Sequence, residues 1–435
     1  MRRRGLIEPL RRPAFRRLAT TYAINELGDW MGIVALSVLV FEKTDSALAT
    51  TALFLGTRFL PALLAPLLVT RSERPPPRFV LPVIYCGEAA AFGVLALLAA
   101  DFSLAAVIAV ATIDGALALT GRSLTRAVVV ALLEPAGELR AGNALLNVAF
   151  TAGAALGPAM AGLVVAGSSV QTALLLDAVS FYAIAWILLT AGPLPQAEPE
   201  PGRMRDRVRA GIAYLREKRA LRLLLTAQGA AFVFFAAVIP VEVIYAKETL
   251  GVGDSGYGLM LASWGGGMVV GSLVFASIRK APLPLLLFFS TLAVGAGYLG
   301  LAAAPNLALA CVASVVGGAG NGVQWVTAIS AVQELTVAGM QARVMSVLES
   351  IGAAMPGIGF IVGGLVTSVF DPRMTFVVAG AGVFAIVAIM APLLGSKWSE
   401  RGASMGPRSF DSGNDVVLEL IPGSRPVKPD PEVLP

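Results

Sequence analysis

Residues 138–165 read ELRAGNALLNVAFTAGAALGPAMAGLVV, and residues 340–366 read MQARVMSVLESIGAAMPGIGFIVGGLV. Both stretches begin with polar and basic residues, continue as a ladder of small residues, and carry a proline (Pro158 and Pro356) before a closing glycine segment. Small residues at such spacing allow helices to approach closely inside a membrane. The recurrence predicts a chain built from two related halves.

The composition supports a membrane location for these stretches. The 435 residues are 56% apolar and only 14% charged, whereas soluble domains are roughly 45–50% apolar and about 25% charged. Disordered chains are poor in apolar residues, so disorder is excluded as well. The sequence therefore predicts an integral membrane protein.

Several kinds of chemistry are excluded by what the sequence lacks. It contains no histidine, only two cysteines (Cys86 and Cys311) and no G-x-x-x-x-G-K-[ST] segment. Histidine-dependent catalysis, cysteine–histidine metal sites and a Walker-type ATPase are therefore not expected. We expect a protein that is not an enzyme and has no metal or cofactor. The energy source of any active process that it carries out would be the proton gradient.

A membrane-spanning helix needs about 20 mostly apolar residues. Twelve such segments are present, and their continuous apolar character and length favour an all-α fold over a spanning barrel. The predicted spans are 17–40, 46–69, 79–99, 104–125, 144–166, 171–192, 221–245, 256–278, 283–303, 306–330, 345–369 and 374–395.

The basic residues predict the orientation of these spans. Of 33 Lys and Arg residues, 29 are assigned to one side of the membrane, three (Lys43, Lys247 and Arg373) to the other, and Arg58 to the interior of a span. By the positive-inside rule, both termini are cytoplasmic. The same distribution excludes a nucleic-acid partner, because the positive charge marks membrane ends. With no cleavable signal segment in evidence, we expect a bacterial plasma (inner) membrane protein, most simply a monomer.

The long connection 193–220 divides the spans into two groups of six. It opens with PLPQAEPEP and continues with arginines that alternate with Ile212 and Leu215 at helical spacing, which favours an amphipathic helix on the membrane surface over a solvated linker. The predicted organisation is a basic N-terminus (1–16), a six-helix bundle (17–192), this linker (193–220), a second bundle (221–395) and a disordered tail (396–435).

Four further motifs carry a resemblance to a known family. They are Leu27-Gly28-Asp29 followed by Thr44-Asp45-Ser46, Ile113-Asp114-Gly115, the segment Gly211–Arg216 (GIAYLR), and Ser255–Gly258 (SGYG) with Gly265–Gly267. Over residues 10–395 the chain resembles the major facilitator superfamily, in particular drug:proton antiporters related to macrolide-efflux and enterobactin-exporting proteins. The resemblance implies two pseudo-symmetric six-helix bundles, alternating access and efflux of the multidrug-resistance type.

The chain departs from that resemblance in the connection between spans two and three. The superfamily has a motif there similar to G-x-x-x-D-R-x-G-R-R, whereas residues 66–78 read PLLVTRSERPPPR. The resemblance places the gating loop at Arg71, Glu73 and Arg74, but the glycine and aspartate that help to latch the two halves are absent. Unusual gating, or loss of transport, is therefore an open alternative.

Charged residues inside the spans are candidates for proton coupling, because each one is costly in the bilayer. At 1.5 Å rise per residue, Asp29 and Arg58 each lie about 18 Å from the cytoplasmic end of their helix, so an ion pair between them is expected. Glu26 shares a helix face with Asp29, and Asp114 lies at a similar depth, with Glu88 nearby. The predicted proton-coupling residues are Glu26, Asp29, Arg58 and Asp114; a purely structural Asp29–Arg58 pair is the alternative.

Polar and aromatic residues in the other spans form a predicted substrate cavity, because an apolar cavity with a few polar groups suits amphiphilic cargo. These candidates are Trp30, Asn147, Gln228, Phe232, Glu242, Asn321, Gln324, Trp325 and Glu349. The leading functional prediction is a proton-coupled exporter of a hydrophobic drug-like or siderophore-like molecule. A uniporter or lysolipid flippase of the same fold, or a non-transporting scaffold or sensor, is the alternative.

Overall fold

The computed structural model describes residues 7–63, 76–190, 194–195, 204–278, 281–337 and 340–404. Thirteen helices account for most of these ranges, which contain no β-strand. They are α1 (Pro13–Thr44), α2 (Ala47–Leu63), α3 (Pro77–Ala100), α4 (Leu104–Leu133), α5 (Leu139–Gly167), α6 (Val170–Leu189), α7 (Met204–Glu217), α8 (Arg219–Thr249), α9 (Asp254–Ser277), α10 (Leu283–Ala303), α11 (Leu307–Leu335), α12 (Gln341–Val369) and α13 (Pro372–Ser404).

The prediction of twelve membrane spans is confirmed. Eleven of the described helices are long and apolar enough to cross a membrane, and α2 is a shorter apolar helix that reaches the edge of a described range at residue 63. The exception is α7, which corresponds to the predicted amphipathic helix. It packs on α12, and its Leu215 is buried with Leu221 and Val344.

Local signals in the sequence set many helix ends. Ser46, Ser169 and Asn306 each accept a hydrogen bond from a backbone N–H in the first turn of α2, α6 and α11, which satisfies a donor that the helix itself cannot. Asp45 adopts a left-handed conformation (φ 48°) and lets the chain reverse within two residues between α1 and α2. Such short connections force neighbouring helices to run antiparallel.

The twelve spans therefore alternate in direction, and two faces of the molecule can be distinguished. The terminal face is the one at which α1 begins and α13 ends. The distal face is the opposite one, which carries the α1–α2 and α8–α9 connections. The basic residues of the sequence predict that the terminal face is cytoplasmic.

The two stretches that open the sequence analysis form helices at the contacts between the halves. Helix α5 (first half) packs on α9, and α12 (second half) packs on α2. A methyl group on Gly258 of α9 would collide with the carbonyl oxygen of Pro158 in α5, and one on Gly364 of α12 would collide with Thr51 in α2. The small residues thus let the backbones of opposite halves touch, as the ladder pattern predicts.

Candidate functional site

Two carboxylates on α1 share one arginine on α4 in the interior of the first half. The Nη2 atom of Arg122 lies 3.4 Å from Oδ2 of Asp29, and its Nη1 atom lies 3.9 Å from Oε1 of Glu26. Glu26 is 1% exposed, Asp29 10% and Arg122 22%. Because residues three apart lie on the same face of a helix, Glu26 and Asp29 both point at the same guanidinium.

This group is incompletely hydrogen-bonded. The side-chain amide of Asn25 donates to Oδ2 of Asp29 at 3.1 Å. Neither carboxylate oxygen of Glu26 has a hydrogen-bond partner in the described structure, nor has Nε of Arg122. Buried polar atoms without partners are costly, and a proton on Glu26 would lower the charge that Arg122 must balance.

The expected pairing of Asp29 with Arg58 is wrong, because Asp29 pairs with Arg122. The guanidinium of Arg58 lies over the indole ring of Trp30, 5.9 Å from the ring centroid, and Arg58 itself lies in a π-helical turn, Leu55–Phe59. Depth along two helices can be calculated from the sequence, but the direction in which each side chain points depends on how the helices are rotated. The π-turn changes that rotation within α2.

Arg122 is one of the 29 basic residues predicted to lie on the cytoplasmic side, at or near the connection after the fourth span, and this prediction is wrong. Helix α4 continues to Leu133, so Arg122 lies well inside it. The apolar run that follows, AVVVALL (127–133), was the signal in the sequence that could have placed Arg122 in the helix interior.

Three more acidic residues lie deeper in the same half. Asp114 on α4 is 9% exposed and Glu88 on α3 is fully buried; Asp114 Oδ1 and both Glu88 oxygens lack hydrogen-bond partners in the described structure. Asp177 on α6 is also fully buried and accepts a hydrogen bond from Ser180 at 3.1 Å. Asp177, which the sequence analysis did not identify, was visible as the one acidic residue in an apolar span.

A set of aromatic residues lies on helices from both halves. Trp30 of α1 packs edge-on against Phe150 of α5, with ring centroids 6.4 Å apart. In the second half, Phe232 of α8 packs against Trp325 of α11 at 6.0 Å, and Trp325 is 41% exposed. Each half therefore carries an aromatic pair that includes at least one of the predicted cavity residues.

The predicted amide residues have different environments. Gln228 and Gln324 are buried, and Gln324 donates a long hydrogen bond (3.4 Å) to Thr291. Asn321 is half-buried, whereas Asn147 is exposed on α5. Glu349 lies on α12, but its side chain is outside the described part of the structure, as are the gating-loop residues Arg71, Glu73 and Arg74.

Contacts between the halves close the distal face. Lys247, at the end of α8, forms ion pairs with Glu42 of α1 (2.6 Å) and Asp254 of α9 (2.7 Å). Deeper in the molecule, the hydroxyl groups of Ser37 (α1) and Tyr257 (α9) are 3.2 Å apart and share a hydrogen bond. We call these two sets of contacts the distal seal.

No group of three His, Cys, Asp or Glu residues suited to holding a metal ion occurs in the described ranges. The chemistry that this site offers is therefore carried by carboxylates, arginines, amides and aromatic rings.

The fold and this interior polar site define a transporter of the major facilitator class. Similar solved structures include the nucleoside transporter NupG, with a TM-score of 0.65 and 14% identity over 87% of this chain and 98% of that chain. The human organic anion transporter MFSD10 is similar with a TM-score of 0.62 and 19% identity over 87% of this chain and 100% of that chain. The POT family transporter PepTSo is also similar, with a TM-score of 0.70 and 8% identity over 89% of this chain and 98% of that chain. At these identities the likeness shows the fold alone.

The family of the chain follows from a match of its amino-acid sequence. Residues 5–410 match the family described as transmembrane secretion effector, and the chain belongs to this family within the major facilitator superfamily. It matches no curated protein by sequence.

Proposed function

We propose that the protein is a secondary active exporter that couples proton entry to the exit of a hydrophobic drug-like or siderophore-like molecule. The observation that carries the proposal is the group formed by Glu26, Asp29 and Arg122. Its location in the first half, beside the aromatic residues Trp30 and Phe150, would bring proton binding and cargo binding together.

The charge balance of this group suits proton coupling. Arg122 pairs with both carboxylates, and Arg58 lies within electrostatic range of both. Three further acids, Glu88, Asp114 and Asp177, are buried in the same half, and each ionised carboxylate that lacks a cation in the bilayer interior costs at least roughly 2.5–3.5 kcal/mol on insertion scales. These five acids outnumber the two interior arginines, so uptake of a proton among them would lower the uncompensated charge of this half.

The lining residues favour amphiphilic cargo. The rings of Trp30, Phe150, Phe232 and Trp325 offer apolar surface, and Asn321 adds a polar group that can orient a ligand. Binding sites for drug-sized molecules combine these features. A proton and a positively polarised part of the cargo can compete for the carboxylates near Asp29. Such competition would couple proton binding to cargo release.

The distal seal supports loading from the terminal face. With Lys247 joined to Glu42, and Ser37 to Tyr257, cargo would enter from the terminal side. If that side is cytoplasmic, as the distribution of Lys and Arg predicts, the transport direction is outward. We place the protein in a bacterial inner membrane with cytoplasmic termini, acting as a monomer.

The test is transport by purified protein in liposomes, with and without an imposed pH gradient, using a panel of dyes, macrolides and siderophores. We expect gradient-driven flux in the wild type and its loss in Asp29→Asn and Glu26→Gln, with gradient-independent exchange of cargo retained. Asp101→Asn, in the exposed α3–α4 connection, is the matched control and keeps wild-type flux.

Other outcomes distinguish the alternatives. Equal flux with and without the pH gradient in the wild type indicates a uniporter or lysolipid flippase. Absence of flux for every compound favours a scaffold or sensor. Wild-type coupling in both Asp29→Asn and Glu26→Gln would refute the assignment of proton coupling to this group.

A further inference from the structure

Helix α8 is interrupted in its distal half, and Glu242 lies at the interruption. The α-helix ends at Val238, a 3₁₀ turn follows over Ile239–Val241, and a π-helical turn covers Tyr245–Thr249. The short segment Glu242–Ile244 between them contacts α1 of the other half. Such local departures from α-helical geometry often occur at functional sites.

Two buried phenols of the second half lie near Glu242, whose side chain is half-buried. Tyr257 on α9 and Tyr298 on α10 are 2% and 1% exposed, and both lie within electrostatic range of Glu242. The hydroxyl of Tyr298 has no hydrogen-bond partner in the described structure, nor has the indole N–H of Trp264, whose ring stacks on Tyr298 at 5.3 Å. Unpartnered buried donors are costly, and an ionised carboxylate brought within hydrogen-bond distance would satisfy the hydroxyl of Tyr298.

No cation compensates Glu242. It forms no ion pair in the described part of the chain, and α1 carries no charged residue between Asp29 and Glu42. The nearest cation on α8 itself, Lys247, is engaged by Glu42 and Asp254.

The remaining titratable groups around this segment do not supply a positive charge to Glu242. On α9 and α10 the facing groups are the phenols Tyr257 and Tyr298, and the adjoining 3₁₀ turn, Ile239–Val241, has no charged residue. Arg373, at the start of α13, stands over the ring of Tyr245 at 5.9 Å. An ionised carboxylate without a cation is costly inside a membrane, so the sealed structure is compatible with Glu242 in its neutral form.

Tyr257 connects Glu242 to the distal seal. Its hydroxyl bonds to Ser37 across the two halves at 3.2 Å, and the same hydroxyl is within electrostatic range of Glu242. A phenol has one proton to donate. Because the hydroxyl of Ser37 donates to the carbonyl oxygen of Val34 at 2.8 Å, Tyr257 is the donor to Ser37, and it can donate to Ser37 or to an ionised Glu242, but not to both.

We infer that Glu242 is a second proton-carrying residue, which controls the distal seal through Tyr257. When Glu242 is neutral, Tyr257 stays bonded to Ser37 and the distal face is closed. When Glu242 releases its proton to water, its carboxylate accepts the hydroxyl of Tyr257, and the bond to Ser37 is lost. This inference rests on the proposed proton-driven transport and assigns one step of that cycle. When a proton from the distal side binds Glu242, the bond between Tyr257 and Ser37 forms and the distal face closes.

The test measures the distance across the distal face. Spin labels are placed on cysteines introduced at Asp101 (α3–α4 connection) and Pro305 (α10–α11 connection), in a chain whose Cys86 and Cys311 are replaced by serine. We expect short distances in acid and a longer-distance population in alkali. Glu242→Gln, which mimics the neutral carboxyl group, should give short distances at every pH and lose gradient-driven flux.

Two further variants separate this effect from misfolding. Tyr257→Phe and Ser37→Ala remove the bond between the halves, so both should raise the longer-distance population in acid, which is opposite in sign to Glu242→Gln. Glu248→Gln, on the exposed end of the same helix, is the matched control and keeps the wild-type response to pH.

A wild-type response to pH in Glu242→Gln would overturn the inference, as would short distances in acid for both Tyr257→Phe and Ser37→Ala. If the wild type shows gradient-driven flux and Glu242→Gln responds to pH normally, only the role of Glu242 fails. If the wild type shows no gradient-driven flux, the proposed function fails, while a pH response that disappears in Glu242→Gln still identifies Glu242 as the titrating group of the seal.

Discussion

Glu42→Gln should weaken the distal seal without disturbing the rest of the fold. Glu42 and Lys247 come from opposite halves, and their Oε1 and Nζ atoms are 2.6 Å apart. Lys247 is also paired with Asp254 of its own half. Glu42→Gln therefore removes a contact between the halves and leaves the pair within the second half in place.

The expected magnitude follows from exposure. Glu42 is 47% exposed and Lys247 17%, so the pair is partly screened by water and contributes about 0.5–1 kcal/mol, the upper part of the range for exposed pairs. Since 1.4 kcal/mol corresponds to a factor of ten, Glu42→Gln should shift the equilibrium about two- to fivefold toward the distal-open state. Lys247→Met removes the same contact between the halves and should in addition lower the stability of the second half, because Asp254 is only 19% exposed and would lose this cation.

The assay uses the distance between labels at residues 101 and 305. In the wild type, about 1 M salt, where the Debye length is about 3 Å, should reproduce part of the effect of Glu42→Gln. The same salt concentration should change the distance distribution of Glu42→Gln little. Lys43→Met removes a neighbouring exposed charge that has no role in the seal, and should behave as the wild type.

Two results would refute this reasoning. The first is an unchanged distance distribution in Glu42→Gln at low salt, which would mean that the pair does not hold the halves together. The second is an equal response in Lys43→Met, which would mean that net charge on the distal face, rather than the ion pair, sets the equilibrium.

Two further predictions concern packing and stability. Gly265→Ala should reduce transport and lower thermal stability in detergent by about 1–3 kcal/mol, because its methyl group would strike the backbone of α5; the neighbouring Gly266→Ala has open space and should be neutral. Arg12→Met should lower thermal stability by about 0.5–1 kcal/mol, because it removes the 2.8 Å ion pair between the half-exposed guanidinium of Arg12 and the carboxylate of Glu138, which is 7% exposed. Glu138 holds the pKa of Arg12 above its usual value through their hydrogen bond, so Arg12 stays charged at every working pH; Arg11→Met is the control and should leave the melting temperature unchanged.

Most of the fold could be predicted from the sequence, because a bilayer imposes a simple rule on length and polarity. The predicted span 283–303 coincides with α10, and the other predicted ends fall within a few residues of most helix ends. The largest differences are at the C-terminal ends of α13, which extends to Ser404 rather than 395, and of α4, which extends to Leu133 rather than 125. The extension of α13 (SKWSERGAS, 396–404) is polar, because a helix does not have to stop where the bilayer stops, whereas the extension of α4 (AVVVALL, 127–133) is apolar and places Arg122 in the helix interior.

The interior site could be predicted only in part. Glu26, Asp29 and Asp114 were identifiable as buried acids, since a charge in an apolar run is visible without a structure. Their partners were not, because the rotation of each helix about its axis is set by packing. Of the cavity candidates, Gln228 and Gln324 are buried and Trp30 is half-buried, whereas Trp325 and Asn147 are exposed on their helices.

The sequence by itself determined an all-helical membrane protein of twelve spans, the two small-residue stretches at the contacts between its halves, and the acids that a bilayer makes costly. The tertiary structure decided that Arg122 rather than Arg58 faces Asp29, that Lys247 joins the halves at the distal face, and that Tyr257 of one half bonds to Ser37 of the other. The physical reason is that hydropathy depends on one helix at a time, whereas an ion pair or a shared hydrogen bond depends on how two helices are turned toward each other.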